Sequence, residues 1–223
     1  AGMVLIPAGT FWMGCNATKD TACAGEPDEN PQHKVVLSPY YMDLTEVTVA
    51  EYKKCVDAGQ CAAPGGDATS SYCNWDTAGK KAKSGREQHP VNCVNWTESQ
   101  KYCQWRGGQV DPANASKYEL PTEAQWEMAA RGDCEKNGKA ASDDAGCKAA
   151  MRTYPWGEQM ATCTFAVMND GSGGGCGLAT TTAVGSRAAG VSPYGLHDMA
   201  GNLYEWIRDW YSNSYYGGSP ITD

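Results

Sequence analysis

The chain has 223 residues, which is long enough for one sizeable domain with a hydrophobic core. Its 18 basic residues are scattered and outnumbered by 26 acidic ones, so the net charge is −8. This balance argues against nucleic-acid binding and against attraction to anionic lipid. Since no apolar run approaches the roughly 18 residues of a membrane-spanning helix, we also expect no membrane span. The simplest organisation is a single domain over residues 1–223.

Short strands and short helices are predicted along the first 132 residues. The stretches "MVLIPAGTFWMG" and "KVVLSPYYMDLTEVT" carry strand-like patterns interrupted by turn residues. Three helices are each introduced by a capping residue with Glu or Gln three positions later. The cap pairs are Thr48 and Glu51, Asn95 and Glu98, and Thr122 and Gln125, with helix ends expected at Gly59, Gly107–Gly108 and Gly132.

Regular structure is predicted to thin out after residue 132. The stretch "DGSGGGCGLATTT" is glycine-rich and is typical of a tethered surface loop, not of a phosphate-binding loop, because no Lys and no helix signal follow it. The tail "NLYEWIRDWYSNSYY" alternates well enough for one more strand. These patterns together predict a loop-rich α+β domain.

The eleven cysteines are the most informative feature of the composition. None forms CxxC and no zinc-type spacing occurs, so disulfides in an oxidising compartment are favoured over a thiol-rich cytosolic enzyme. We therefore expect a secreted, periplasmic or cell-surface protein. Three local pairs flank polar loops, four more cysteines could form two bridges in an unknown order, and Cys103 is the candidate for the odd one. The local pairs are Cys15 and Cys23, Cys134 and Cys147, and Cys163 and Cys176; the other four are Cys55, Cys61, Cys73 and Cys93.

Eight short motifs occur in a fixed order along the chain. They are "MVLIPAGTFWMG", "YYMDLTEVTVAEY", "HPVNCVNW", "YCQWRGG", "LPTEAQWEMAARG", "YPWG", "VGS" and "SPYGLHDMAGNLYEW". Together they resemble the formylglycine-generating enzyme family, also called the sulfatase-modifying factor family. The resemblance covers about residues 3–211 and implies a C-type-lectin-like fold with little regular secondary structure.

The resemblance also implies a missing segment. The catalytic members of the family carry a later pair of cysteines that binds copper(I) and uses dioxygen to convert a sulfatase cysteine to formylglycine. No residue here matches that pair, so we expect no catalytic residue, a C-terminally incomplete domain, and copper only if a further segment exists. In the family, the cysteine matching Cys103 can bridge to that segment, which would make Cys103 a broken half-bridge. Alternatively, Cys103 pairs locally, for example with Cys93.

The stretch "GLHDMAGNLYEW" places Asp198 and Glu205 on either side of a Gly-Asn turn. The two carboxylates would lie roughly 23 Å apart on a straight strand and about 10 Å apart on a helix, so only a curl brings them together. The residues alone favour a capped turn, in which Asp198 accepts backbone N–H groups and Glu205 pairs with Arg208.

The family resemblance instead implies a structural Ca²⁺ site in this stretch. Asp198 and Glu205 would supply side-chain oxygens, and Gly201 and Leu203 would supply carbonyls. At a second calcium position of the family this chain has Val167, whose side chain cannot bind a cation, so we expect one site only.

Three functional hypotheses follow from these observations. The first is a disulfide-linked, calcium-stabilised module that binds an unknown protein or glycan and has no catalytic activity of its own. The second is a fragment of a copper-dependent formylglycine-generating oxidase. The third is a subunit of a cell-surface assembly, in which a partner chain covers an open C-terminal edge.

Overall fold

The computed structural model describes residues 2–20, 23, 25, 27–65 and 70–217. The strands of this part of the chain form three separate antiparallel pairs. They are β1 (Met3–Ile6) with β4 (Tyr40–Asp43), β2 (Gly9–Met13) with β3 (His33–Leu37), and β5 (Trp75–Asp76) with β6 (Lys81–Ala82). Most of the chain lies in turns and loops, in agreement with the loop-rich α+β prediction.

Four helices surround these strand pairs: α1 (Val49–Asp57), α2 (Trp96–Val110), α3 (Glu123–Arg131) and α4 (Asp144–Ala150). The first three begin directly after the predicted capping residues, and α2 and α3 have complete capping boxes. The sequence patterns did not predict α4. None of the helices described is long and apolar enough to cross a bilayer.

The expected end of α2 at Gly107–Gly108 is wrong, because the helix continues to Val110. The two glycines have a packing role instead. A Cβ on Gly107 would lie 2.6 Å from the ring of Tyr118, so glycine is needed for the following segment to pack against the helix. A short 3₁₀ segment, Pro112–Lys117, makes that return possible.

The main hydrophobic core lies between the β2–β3 pair and α3. Phe11 on β2 and Val35 and Leu37 on β3 point to the same side, as the two-residue period of a strand requires, and are almost completely buried. Met128 of α3 packs into the same cluster and is fully buried. A smaller cluster around Tyr52 joins α1 to α2.

Five disulfides tie the loops to this framework. The structure pairs Cys15 with Cys23, Cys55 with Cys61, Cys73 with Cys93, Cys134 with Cys147, and Cys163 with Cys176. Cys93 is thus bonded to Cys73 and not to Cys103, which is a free thiol. Five disulfides in a chain of this size indicate an oxidising, extracytoplasmic environment.

The prediction of a strand in the tail is wrong. Between Asn202 and Gly217 the backbone forms no strand, and Gly201 makes only an isolated parallel bridge to Val167. The tail is held instead by single contacts to separate elements. For example, Trp206 Nε1 donates to the Val94 carbonyl at 3.0 Å, and the Arg208 N–H donates to the Pro121 carbonyl at 2.8 Å.

Candidate cation site and cavity

The residues between Asp198 and Glu205 form a tight curl. Asp198, Gly201 and Asn202 have φ angles of +56°, +80° and +62°, so the chain enters the left-handed region three times within five residues. A Cβ on Gly201 would lie 2.5 Å from the carbonyl oxygen of Val167, which leaves no room for a larger residue there. The curl that is needed to bring the two carboxylates together is present.

Hydrogen bonds fix this curl on several sides. Asp198 is buried, and its Oδ2 accepts the backbone N–H of Gly185 at 2.6 Å. The Asn202 N–H donates to the Val167 carbonyl at 2.8 Å, and Asn202 Oδ1 accepts the Thr182 N–H at 3.0 Å. The curl is therefore anchored to two other loops, and its side chains have defined positions.

A third acid reaches the curl from a distant part of the chain. Glu46 lies in the connection between β4 and α1, and its Oε2 accepts from Asn202 Nδ2 at 2.7 Å. Its other oxygen, Oε1, is buried and has no hydrogen-bond partner. Sequence reasoning missed Glu46 because the contact spans 156 positions and no local pattern in "DLTEVT" indicates it.

Burial is the main cause that raises the pKa values of the three carboxyl groups at the curl. Burial, followed by the charges of Glu205 and Asp198, raises the pKa of Glu46 to about 9. Glu205 is an exposed residue at the edge of a cavity, and partial desolvation of its carboxylate, followed by the charge of Asp198, raises its pKa to about 7. Burial also raises the pKa of Asp198. His197 and Arg187 oppose this rise at Asp198, so the curl brings three acids together with two basic side chains beside one of them.

Glu205 does not make the ion pair that the capped-turn alternative requires. Arg208 pairs with Glu119 at 2.6 Å, whereas Glu205 Oε2 accepts from Trp126 Nε1 at 3.1 Å. The other half of that alternative is present, since Asp198 accepts the Gly185 N–H. Asp198 thus has one backbone donor, while Glu205 has a neutral donor and forms no ion pair with a described residue.

The donor set of the curl suits a hard cation. It consists only of oxygens: the carboxylates of Asp198 and Glu205 and the backbone carbonyls of Gly201 and Leu203, which is the chemistry that Ca²⁺ prefers. The Gly201 carbonyl accepts the Leu203 N–H at 2.8 Å and keeps a second lone pair. The unpaired buried oxygen of Glu46 is a further indication that positive charge belongs here. These residues would hold the ion, which would supply the missing positive charge.

A cavity of about 740 Å³ opens beside the curl. Glu46, Leu203 and Glu205 form part of its wall, so the candidate cation site and the cavity share residues. Tyr204 is fully exposed, and Trp206, which also lines the cavity, is half-exposed. The volume lies within the range of small-molecule and side-chain binding sites in proteins.

The free thiol of Cys103 lies in the wall of the same cavity. It is on α2, one turn before Arg106, whose guanidinium pairs with Asp43 of β4. Burial, followed by the charge of Asp43, raises the pKa of the Cys103 thiol to about 12. The thiol is therefore neutral at physiological pH, and it is a poor nucleophile and a poor metal ligand.

The family model for the sulfatase-modifying factor enzyme 1-like domain matches residues 1–221. The chain belongs to this family. This confirms the family resemblance of the eight motifs, including the curl that contains Asp198 and Glu205.

Relatives of this sulfatase-modifying-factor-like domain include enzymes and parts of much larger proteins. The serine/threonine-protein kinase pkn1 of Chlamydia pneumoniae is 31% identical over 96% of the chain, which spans only 28% of that kinase. The formylglycine-generating enzyme of Streptomyces coelicolor is 30% identical over 100% of the chain, which spans 73% of that enzyme.

Two solved structures share the fold of the sulfatase-modifying-factor-like domain. PvdO from Pseudomonas aeruginosa superposes with a TM-score of 0.62 at 24% identity, over 99% of this chain and 74% of its own. Treponema denticola variable protein 1 superposes with a TM-score of 0.59 at 22% identity, over 94% of this chain and 73% of its own. At these identities the likeness concerns the fold alone.

Proposed function

We propose that this domain is an extracytoplasmic binding module, stabilised by one structural Ca²⁺ ion and without catalytic activity in these 223 residues. The observation that carries the proposal is the large cavity beside the curl, which has an aromatic rim and shares its wall with the candidate cation site. In this view the ion fixes a loop that forms one side of the binding surface.

The state of the cysteines favours a non-catalytic role. Copper chemistry of the family type needs two thiols close together, but ten of the eleven cysteines are bonded in disulfides. The eleventh, Cys103, is a single half-buried thiol whose pKa is raised to about 12. These residues therefore offer no cysteine pair for an oxidation of that kind.

The aromatic rim suits a protein or glycan ligand. Exposed Trp and Tyr side chains supply large contact areas at a low cost in conformational entropy, and their polar groups can bind a hydrated partner. Tyr204 and Trp206 are placed at the cavity, whereas Trp210 is 97% exposed but does not line it. This difference supplies a matched pair of positions for a test.

The proposal is tested by screening the purified domain, in the presence of CaCl₂, against glycan and peptide arrays. We expect a ligand whose binding is lost in Trp206→Ala and retained in Trp210→Ala. A ligand that binds Trp206→Ala as well as it binds Trp210→Ala would place binding outside the cavity and contradict the proposal. Secretion is tested separately, by fractionating the producing cells and probing for the oxidised chain outside the cytoplasm.

The second candidate function is copper-dependent oxidation of a cysteine to formylglycine. It is favoured by the 30% identity over the whole chain to the enzyme of Streptomyces coelicolor, and by the position of the Cys103 thiol in the cavity. The test is to incubate the domain with Cu(I), dioxygen and a cysteine-containing peptide and to trap any aldehyde with hydroxylamine. Aldehyde formation above a Cys103→Ser control would overturn the non-catalytic proposal.

A third role, docking within a cell-surface assembly, is compatible with the relatives in which the matched region is 28% of a longer protein. In such an assembly a partner chain would cover the cavity. Size-exclusion chromatography of the domain with and without its native extracellular fraction tests for that partner. Loss of the complex in Trp206→Ala would indicate that the partner occupies the cavity.

A further inference from the structure

The carboxylate of Glu46 is only half satisfied. Its Oε2 accepts from Asn202 Nδ2 at 2.7 Å, while its Oε1 is buried and has no partner within hydrogen-bond distance; the Leu203 N–H is the nearby backbone donor that acts on this carboxylate. Leaving a charged oxygen buried and unpaired is costly. A donor or a positive charge is therefore needed on the side of Glu46 that faces the acids of the curl.

In this structure Glu46, Asp198 and Glu205 are not placed so that all three carboxylates could bind one ion directly. Two oxygens bound to one Ca²⁺ at about 2.3–2.6 Å lie no more than roughly 5 Å apart. In the part of the chain described, the group of three metal-type ligands that lies within 4.8 Å of one another is Cys15, Asp20 and Cys23, whose two sulfurs form a disulfide. The carboxylate oxygens of Glu46, Asp198 and Glu205 do not meet that criterion together.

We propose that Glu46 belongs to the cation site as an outer residue, its Oε1 accepting a hydrogen bond from a water molecule bound to the cation. The ion itself would be held by Asp198 and Glu205 with the curl carbonyls. The inference rests on the proposed cation site and adds a residue to it. Ca²⁺ commonly keeps one or more water ligands, and such a water is a strong donor to a carboxylate.

This arrangement gives Glu46 two coupled tasks. Through Oε2 it orients Asn202, whose own N–H and side chain hold the curl to Val167 and Thr182. Through Oε1 it would hold the water and add negative charge to the site. Groups that act in this indirect way on a metal typically contribute 10- to 100-fold to its affinity.

The main competing explanation is that Glu46 is simply a protonated structural acid. Glu46→Gln separates the two, because glutamine keeps the size and can keep the hydrogen bond to Asn202 but carries no charge. If Glu46 were only a neutral structural group, the Ca²⁺ affinity of Glu46→Gln would equal that of the wild type. In the water-bridged arrangement the affinity falls by about 10- to 100-fold.

The first experiment is calorimetric titration of the oxidised domain with CaCl₂, with a thermal unfolding curve of each variant in EDTA. The matched control is Glu135→Gln, an exposed residue far from the site in sequence. We expect the control to bind Ca²⁺ as the wild type does. We expect Glu46→Gln to bind Ca²⁺ more weakly and yet to unfold at a similar temperature in EDTA, because glutamine can keep the hydrogen bond to Asn202.

A second measurement keeps the inference testable if Glu46→Gln folds poorly. Glu46→Asp keeps the charge but retracts the oxygens, so its affinity should lie between those of the wild type and Glu46→Gln. Terbium(III) bound in place of calcium reports the number of metal-bound waters through its luminescence lifetimes in H₂O and D₂O. We expect the same number of waters in the wild type and in both Glu46 variants.

The outcomes separate the inference from the site on which it rests. Ca²⁺ binding by the wild type with an unchanged affinity in Glu46→Gln would overturn the role of Glu46 and leave the cation site intact. An added metal-bound water in Glu46→Gln would show direct coordination and overturn the water-bridged arrangement. No Ca²⁺ binding by the wild type would overturn both.

Discussion

Substitution of Gly201 by alanine tests the geometry of the curl directly. Gly201 has φ +80°, and an added Cβ would lie 2.5 Å from the carbonyl oxygen of Val167, the residue with which it forms an isolated bridge. Gly195 provides a matched control, since its φ is +83° but a Cβ there would meet nothing within 4 Å. Both positions are exposed, so the two substitutions differ mainly in the clash.

The expected magnitudes differ accordingly. Left-handed backbone costs a non-glycine residue about 1–2 kcal/mol, which is the whole expected effect of Gly195→Ala. Overpacking adds about 1–3 kcal/mol, so Gly201→Ala should lower the free energy of unfolding by roughly 3 kcal/mol. For a domain of this size that corresponds to a loss of about 6–12 °C in Tm, against about 2–8 °C for Gly195→Ala.

The assay is thermal unfolding of the oxidised protein followed by circular dichroism, with a Ca²⁺ titration of each variant. Gly201→Ala should also weaken Ca²⁺ binding, because the Gly201 carbonyl is a proposed ligand, whereas Gly195→Ala should leave the affinity unchanged. Equal losses of Tm in the two variants would refute the close approach to Val167. Unchanged Ca²⁺ affinity in Gly201→Ala would argue against the carbonyl as a ligand.

Three further predictions concern other parts of the molecule. Cys103 should react slowly with a thiol reagent at pH 8 in the native protein, because burial raises its pKa to about 12. After unfolding without reductant, one thiol per chain should react. Fast labelling of the native protein would contradict the burial of this thiol. Burial, followed by the charge of Arg86, lowers the pKa of His89 below 6.5. As the pH drops from about 7 to 5, His89 is therefore protonated more readily in the unfolded state than in the folded state, and the free energy of unfolding should fall. Urea unfolding across that range should show a shallower fall for His89→Asn, and parallel curves would rule out the contribution. Arg131→Met should cost about 3 kcal/mol, because it removes the ion-pair partner of the mostly buried Glu127 carboxylate, which keeps only the Gly14 N–H. Arg208→Met should cost at most about 1 kcal/mol because its ion pair is exposed, and similar costs would contradict this difference in burial.

Local sequence signals predicted the beginnings of the helices well. A capping residue and its partner three positions later interact with neighbouring backbone only, so Thr48, Asn95 and Thr122 could be read without knowing the fold. Gly107 was misread as a helix end because its role depends on Tyr118, which packs against it only in the folded chain. The tail alternates like a strand, but its exposed aromatic residues form a rim and have no strand partner among the described residues.

In the candidate site, too, some residues could be predicted from a local motif and others are brought there only by the fold. Asp198, Gly201, Leu203 and Glu205 lie within eight residues, so one motif could indicate them together. Glu46 comes from 156 positions away in contact with Asn202, and only the fold brings it to the curl. The cavity could not be predicted from the sequence either, because its wall is assembled from β4, α2 and the tail.

The central claim is that a single Ca²⁺ ion fixes the curl of a fully oxidised domain with one free thiol. Native mass spectrometry of the protein purified in CaCl₂, combined with alkylation of free thiols after unfolding, tests it most directly. We predict one bound calcium ion per chain, released by Asp198→Ala, and one alkylated cysteine, absent in Cys103→Ser. A chain without calcium, or one with two or more alkylated cysteines, would contradict it.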